Sequence, residues 1–167
     1  MNLYIVRHAI AVERGASGYD DDSQRPLTDE GRKKMKKIAK GMRQLKMKLD
    51  VILSSPYVRA KDTASLLANE FEMKDKVALS DNLIPPGNFE SLINEIREKY
   101  DVDNLALVGH EPMLSSLISW LATGNTDMKV ALKKGGFAYL ATDNLYQDGR
   151  ATLNWLLTPA LLVNLSK

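Results

Sequence analysis

Leu105-Ala106-Leu107-Val108-Gly109-His110 is an unbroken apolar run that stops on a glycine and a histidine. Four consecutive apolar residues without polar alternation suit a strand covered on both faces, as in a parallel sheet. Pro112 follows and opens a helix carrying Leu114, Leu117, Ile118 and Leu121. The beginning of the chain repeats the pattern. Leu3-Tyr4-Ile5-Val6 is a second apolar run, and Arg7-His8 follow it immediately. Val51-Ile52-Leu53 is a third run and Val77-Ala78-Leu79 a weaker fourth.

Helical periodicity fills the intervals. Residues 13–26, rich in Gly, Ser and Asp, read as a loop. Thr28 is placed to cap a helix with Asp29 and Glu30 in its first turn. Met35, Ile38, Met42, Leu45 and Leu49 form one apolar stripe opposite a lysine-covered face. Ser55-Pro56 predicts the next helix start, since proline suits the first helical position. Tyr57, Ala60, Ala64, Leu67 and Phe71 mark the buried side of that helix. Beyond a Pro85-Pro86-Gly87 loop, Phe89, Leu92, Ile93 and Ile96 carry another amphipathic helix. Residues 137–142 and 151–157 predict two strands, antiparallel to each other and joined through Asp148-Gly149, a hairpin signal. Alternating strands and helices define an α/β fold: a three-layer α/β/α arrangement with a mostly parallel central sheet and an antiparallel strand pair near the C-terminus.

The 167 residues suit a single domain, 1–167, able to bury a core without disulfides or metal. A net charge of +2 favours no class of partner. The lysines between residues 32 and 48 are spaced like a solvated helix face and no aromatics interleave them, so no nucleic-acid partner is expected. Cysteine is absent, which removes thiol nucleophiles and thiolate metal sites. The first residues show neither a basic n-region nor a long apolar h-region, and no run is long enough to span a bilayer. A cytoplasmic location without membrane association is the expectation.

Only two histidines exist, His8 and His110, and each ends a predicted buried strand. In open α/β sheets ligands bind beyond the carboxyl ends of the strands. Arg7 precedes the first histidine, Arg25 lies in the following loop, and Arg59 falls in the first turn of the next helix. If the strands are parallel neighbours, two imidazoles and three guanidiniums converge. That set suits a dianionic tetrahedral ligand, because arginine presents planar bidentate donors and a helix amino end favours anions. Taken singly, each residue has an ordinary structural or solvated alternative, which the residues alone leave open.

The motifs also resemble a known family. Leu3 to Ala9, then Arg25-Pro26-Leu27-Thr28 with Gly31, then Ser54-Ser55-Pro56 through Arg59-Ala60 and Thr63-Ala64, then Val108-Gly109-His110-Glu111-Pro112, resemble in order the four blocks of the histidine phosphatase superfamily, the phosphoglycerate-mutase-like enzymes. The short length, Leu83-Ile84-Pro85-Pro86-Gly87 and the closing Asn154-Trp155-Leu156-Leu157-Thr158-Pro159 look like its SixA-type phosphohistidine phosphatases.

The resemblance implies His8 as nucleophile, with Arg7, Arg25, Arg59 and His110 holding phosphoryl oxygens. Arg7, Arg59 and His110 would share in catalysis with His8, without cofactor or metal. The implied substrate is a phosphohistidine on a protein, such as a histidine-phosphotransfer domain in signal transduction. A general phosphomonoesterase and a non-catalytic phosphate-binding protein are the rival readings. Two departures stand out. Ala9 replaces a glycine common in the superfamily. Residues 83–88, where larger members carry a general-acid carboxylate, contain none, and only Asp81 and Glu90 flank the segment.

Overall fold

A computed structural model describes residues 1–143, 145 and 150–167. Its centre is a six-stranded sheet of β1 (Asn2–Arg7), β2 (Val51–Ser54), β3 (Val77–Leu79), β4 (Asn104–Gly109), β5 (Phe137–Ala141) and β6 (Thr152–Leu157). The spatial order is β3-β2-β4-β1-β5-β6. Strands β3, β2, β4 and β1 are mutually parallel, and β5 pairs antiparallel with both β1 and β6. The fold is the expected three-layer α/β/α arrangement, mostly parallel, with β5 alone reversed. The turn expected at Asp148-Gly149 lies outside the described residues.

The unbroken apolar runs follow from helices on both faces. Successive strand side chains point to opposite sides. Leu3 and Ile5 of β1, with Leu105 and Leu107 of β4, face α3 (Phe89–Lys99) and α4 (Met113–Thr123). Tyr4 and Val6, with Ala106 and Val108, face α1 (Asp29–Gln44), α2 (Val58–Glu70) and α5 (Pro159–Leu165). Since both sides need apolar residues, no polar alternation survives in the central strands.

Two local expectations are corrected, and one helix is added. The stripe on α1 ends at Met42: the helix stops at Gln44, Leu45 is exposed, and Lys46 takes φ of 54°. Leu49 packs against the core from outside that helix. Helix α2 begins at Val58, not at Pro56: Ser55 turns inward to His110, and Tyr57 becomes the N-cap residue. Finally, α5 was not expected. Thr158 caps it by accepting from the Leu161 N–H, and Pro159 takes its first turn.

Helix α1 is fixed at the site end of the sheet. Thr28 Oγ1 accepts from the Gly31 N–H at 3.0 Å, and the Thr28 N–H donates to the Ile10 carbonyl. A Cβ at Gly31 would stand 2.0 Å from that same carbonyl oxygen, so only glycine lets the helix approach the segment leaving β1. The strand order places the site. The chain crosses from β1 past the later β4 to β2, so β1 and β4 become central neighbours with Arg7 opposite Gly109. The residues that follow, His8 and His110, emerge side by side at the strands' carboxyl ends.

Candidate active site

The two imidazoles lie 5.1 Å apart, centroid to centroid. His8 is 7 % and His110 2 % exposed. The backbone ties the two strand ends together, since the His8 N–H donates to the Gly109 carbonyl at 3.0 Å. His8 Nδ1 lies 2.8 Å from the Ala9 carbonyl oxygen. A carbonyl only accepts, so Nδ1 carries the proton and Nε2 keeps a lone pair. The Ala9 N–H is held in turn by Thr63 Oγ1 at 3.0 Å, and Thr63 donates to the Arg59 carbonyl. Ala9 is not among the residues with positive φ, so alanine fits there without left-handed strain.

Burial pushes both histidines far down, to about 3. For His8 the Ala9 carbonyl opposes the shift, while Arg59, Arg7 and Lys134 add to it. For His110 the neighbouring His8 and Arg59 reinforce burial, and Asp22 opposes it. Both rings are therefore neutral near pH 7. An unfolded chain protonates them near 6.5, so between about 6.5 and 3 the unfolded state binds more protons. Stability contributed by the neutral rings is complete above 6.5 and is lost as pH falls through that window. Urea unfolding midpoints should fall on acidification from pH 7 to 4, and His110→Gln should show a shallower fall. Parallel curves for the two proteins would contradict the assignment.

The arginines divide into two groups. Arg7 Nη1 donates to the Leu132 carbonyl at 2.9 Å, and its Nε is buried without a partner. Arg59 is 2 % exposed. Its Nη1 donates to the Asp22 carbonyl at 2.6 Å and its Nη2 to Asp22 Oδ2 at 2.9 Å, while its Nε is also buried and unpartnered. Arg25 gives Nε and Nη2 to Asp22 Oδ1 and Nη1 to the Val12 carbonyl. Asp22 thus bridges Arg25 and Arg59, with Arg14 on its outer side at 3.1 Å. Burial works against ionising this carboxyl, but Arg59 and the hydrogen bonds from the three arginines hold it at about 2.

Three buried side-chain nitrogens among the described residues lack a partner: Arg7 Nε, Arg59 Nε and His110 Nδ1. Buried polar groups are nearly always satisfied, and exceptions mark functional sites or missing ligands. All three belong to residues singled out from the sequence, and the charges of Arg7 and Arg59 both act on His8. Arg25 is brought to the same cluster through Asp22. Sequence reasoning did not single out Asp22 and gave Ser55, Tyr57 and Thr63 no part in the site. Ser55 Oγ lies 2.9 Å from His110 Nε2, and the Tyr57 ring meets the His110 ring at 5.0 Å.

Other features lie apart from this cluster. Asp81 and Glu90 are exposed. A cleft of about 850 Å³ lies at the opposite end of the sheet, lined by Asp50, Lys74, Asp75, Asp101 and Asp103 among others, and it includes neither histidine. Among the described residues no group of three or more His, Asp or Glu is placed to hold a metal ion, and no helix is long and apolar enough to cross a membrane.

The chain also matches known proteins. Residues 3–84, which include Arg7, His8, Arg25 and Arg59, match the model of the histidine phosphatase superfamily (branch 1). An uncharacterized protein of Picosynechococcus sp. is 34 % identical over 81 % of this chain and 82 % of its own length. Phosphohistidine phosphatase SixA of Escherichia coli is 25 % identical over 97 % of this chain and 96 % of its own. Among solved structures, the protein histidine phosphatase SixA complexed with tungstate superposes with a TM-score of 0.82 at 24 % identity, covering 97 % of this chain and 99 % of that one. The chain belongs to the histidine phosphatase superfamily, and it is a phosphatase.

Proposed function

We propose that the protein hydrolyses phosphohistidine on a protein through a phospho-His8 intermediate. The observation that carries this reading is the set of free groups around the paired rings. His8 Nε2 keeps an unshared pair, Arg7 Nε and Arg59 Nε are donors without partners, and His110 Nδ1 is a buried ring nitrogen without one. A phosphoryl group supplies the oxygens those donors lack. The near full-length similarity to an E. coli phosphohistidine phosphatase supports the choice of substrate.

In the first step His8 Nε2 attacks phosphorus in line. The Nε2–P bond forms as the substrate P–N bond breaks, and the substrate ring, already protonated from solvent on its other nitrogen, leaves as neutral imidazole with the P–N electron pair. Charge spread over the equatorial oxygens is met by fixed donors, which is the main source of catalysis in phosphoryl transfer. The Ala9 carbonyl steadies the imidazole as its Nδ1 proton becomes more acidic. In the second step water attacks phosphorus, the Nε2–P bond breaks, and inorganic phosphate leaves with neutral His8 restored. We further propose that residues 1–167 act as one histidine phosphatase domain in the cytoplasm, on a partner such as a histidine-phosphotransfer domain.

Arginines supply here the positive charge that metal ions supply in other phosphatases. Purified protein should release phosphate from a phosphohistidine protein and from an aryl phosphate at the same rate with or without excess chelator. No release from either substrate would overturn the proposed function, and loss of turnover on chelation, restored by a divalent ion, would overturn the metal-free mechanism.

A further inference from the structure

We infer that Ser55 is a positioning residue that holds His110 in its Nδ1–H form, so that the ring presents a donor to the phosphoryl group. The role rests on the function proposed above, but the hydrogen-bond argument stands on the fold alone. Ser55 has no solvent exposure. Its Oγ lies 2.9 Å from His110 Nε2 and accepts from the Tyr57 N–H at 3.4 Å. His110 Nδ1 is buried and has no partner among the described residues.

Two proton placements are available. In the first, His110 Nε2–H donates to Ser55 Oγ. The serine proton then has no acceptor among the described residues, and Nδ1 is left as a bare lone pair. Two buried groups are unsatisfied, and the lone pair faces the oxygens of an incoming phosphoryl group. In the second, the serine hydroxyl donates to Nε2 while its oxygen accepts from Tyr57. The only group left over is Nδ1–H, a donor that a phosphoryl oxygen can satisfy. Leaving a buried polar group unpaired is costly, so the second placement, with fewer such groups, is favoured.

The local structure explains why the serine is free to do this. Pro56 has no N–H, and helix α2 starts only at Val58. The Ser55 N–H donates to the Val108 carbonyl at 2.9 Å, which pins this residue beside β4 two positions before His110. The Tyr57 ring packs against the imidazole it helps to orient. Ser55 therefore connects the start of the arginine-bearing helix to the second histidine. A neutral His110 suits this role, since a tautomer is defined only for the uncharged ring.

Nitrogen NMR of the full chain labelled with ¹⁵N-histidine tests the inference directly. The chain has only two histidines, so spectra of wild type and His8→Ala assign both rings. Near pH 7, His110 should show a protonated, pyrrole-type Nδ1 and an unprotonated, pyridine-type Nε2. In Ser55→Ala the proton should redistribute toward Nε2. Turnover of an aryl phosphate should fall about 10- to 100-fold, mainly in kcat, somewhat less than for outright loss of an oxyanion donor. A wild-type His110 protonated at Nε2 overturns the inference whatever the variant does. So does a Ser55→Ala protein that keeps both the wild-type tautomer and wild-type turnover. Absence of phosphatase activity in the wild type would instead sink the proposed function and leave the tautomer assignment intact.

Discussion

His8→Ala should fold as the wild type does and lose at least about four orders of magnitude in turnover, because removing a covalent nucleophile removes the reaction path itself. The folding half follows from the contacts. The imidazole makes one hydrogen bond, to the carbonyl of its own neighbour Ala9, while the backbone bond from His8 N to Gly109 is independent of the side chain. The substitution also deletes a buried neutral histidine, so the variant should resist mild acid better than the wild type. The catalytic half follows from Nε2, the ring nitrogen left with a free lone pair beside Arg7 and Arg59. After rapid quenching, wild-type protein turning over a labelled substrate should carry acid-labile, base-stable phosphate, the signature of a P–N bond. The variant should carry none. A folded His8→Ala protein with wild-type kcat, or a wild-type label stable to acid, would remove His8 from its proposed role.

The parts of this molecule legible in the sequence are those fixed by local pattern or by burial on both faces. Leu3-Tyr4-Ile5-Val6 and Leu105-Ala106-Leu107-Val108 cannot be solvated on either side, so their place in the middle of a parallel sheet was readable. Thr28 announced its helix because capping is local. Asp22 was not legible. It stands in an acidic stretch, Asp20-Asp21-Asp22, that reads as a solvated turn, and its bonds to Arg59 cross 37 positions of chain. Its spacing to Arg25, three residues on, was the one local hint. Ser55 was misread for the opposite reason. Ser-Pro is a strong helix-start signal, and it masked a contact to His110 that only the pairing of β2 with β4 creates. The end of α1 carried no glycine, since Lys46 itself takes the left-handed conformation. Helix α5 did carry Thr158-Pro159, but its run of Leu161, Leu162 and Val163 continues the apolar strand before it and hides the change of period.

The proton donors within reach of the histidines determine what this site should hydrolyse best. An alkyl phosphate expels an alkoxide about as basic as hydroxide, whose conjugate acid, water, has a pKa of about 15.7. A phosphohistidine expels an imidazole whose conjugate acid has a pKa of about 6.5. The first departure depends on a general acid, worth about 10²–10⁴-fold, and the second depends on it little. Asp81 and Glu90 flank the segment 83–88, and both are exposed. Asp22 is the carboxylate bridging Arg25 and Arg59, and with a pKa of about 2 it carries no proton near neutrality. His110, held neutral by burial, is a weak acid in the unliganded site. Phosphohistidine on a protein should therefore exceed phosphoserine or a sugar phosphate in kcat/KM by about 10²–10⁴-fold, the usual contribution of a general acid. Aryl phosphates, with leaving groups of intermediate basicity, should fall between. Asp81→Asn and Glu90→Gln should leave the series unchanged. Fast alkyl phosphate hydrolysis in the wild type that collapses in either variant would show that the loop folds over the bound substrate and delivers the acid after all.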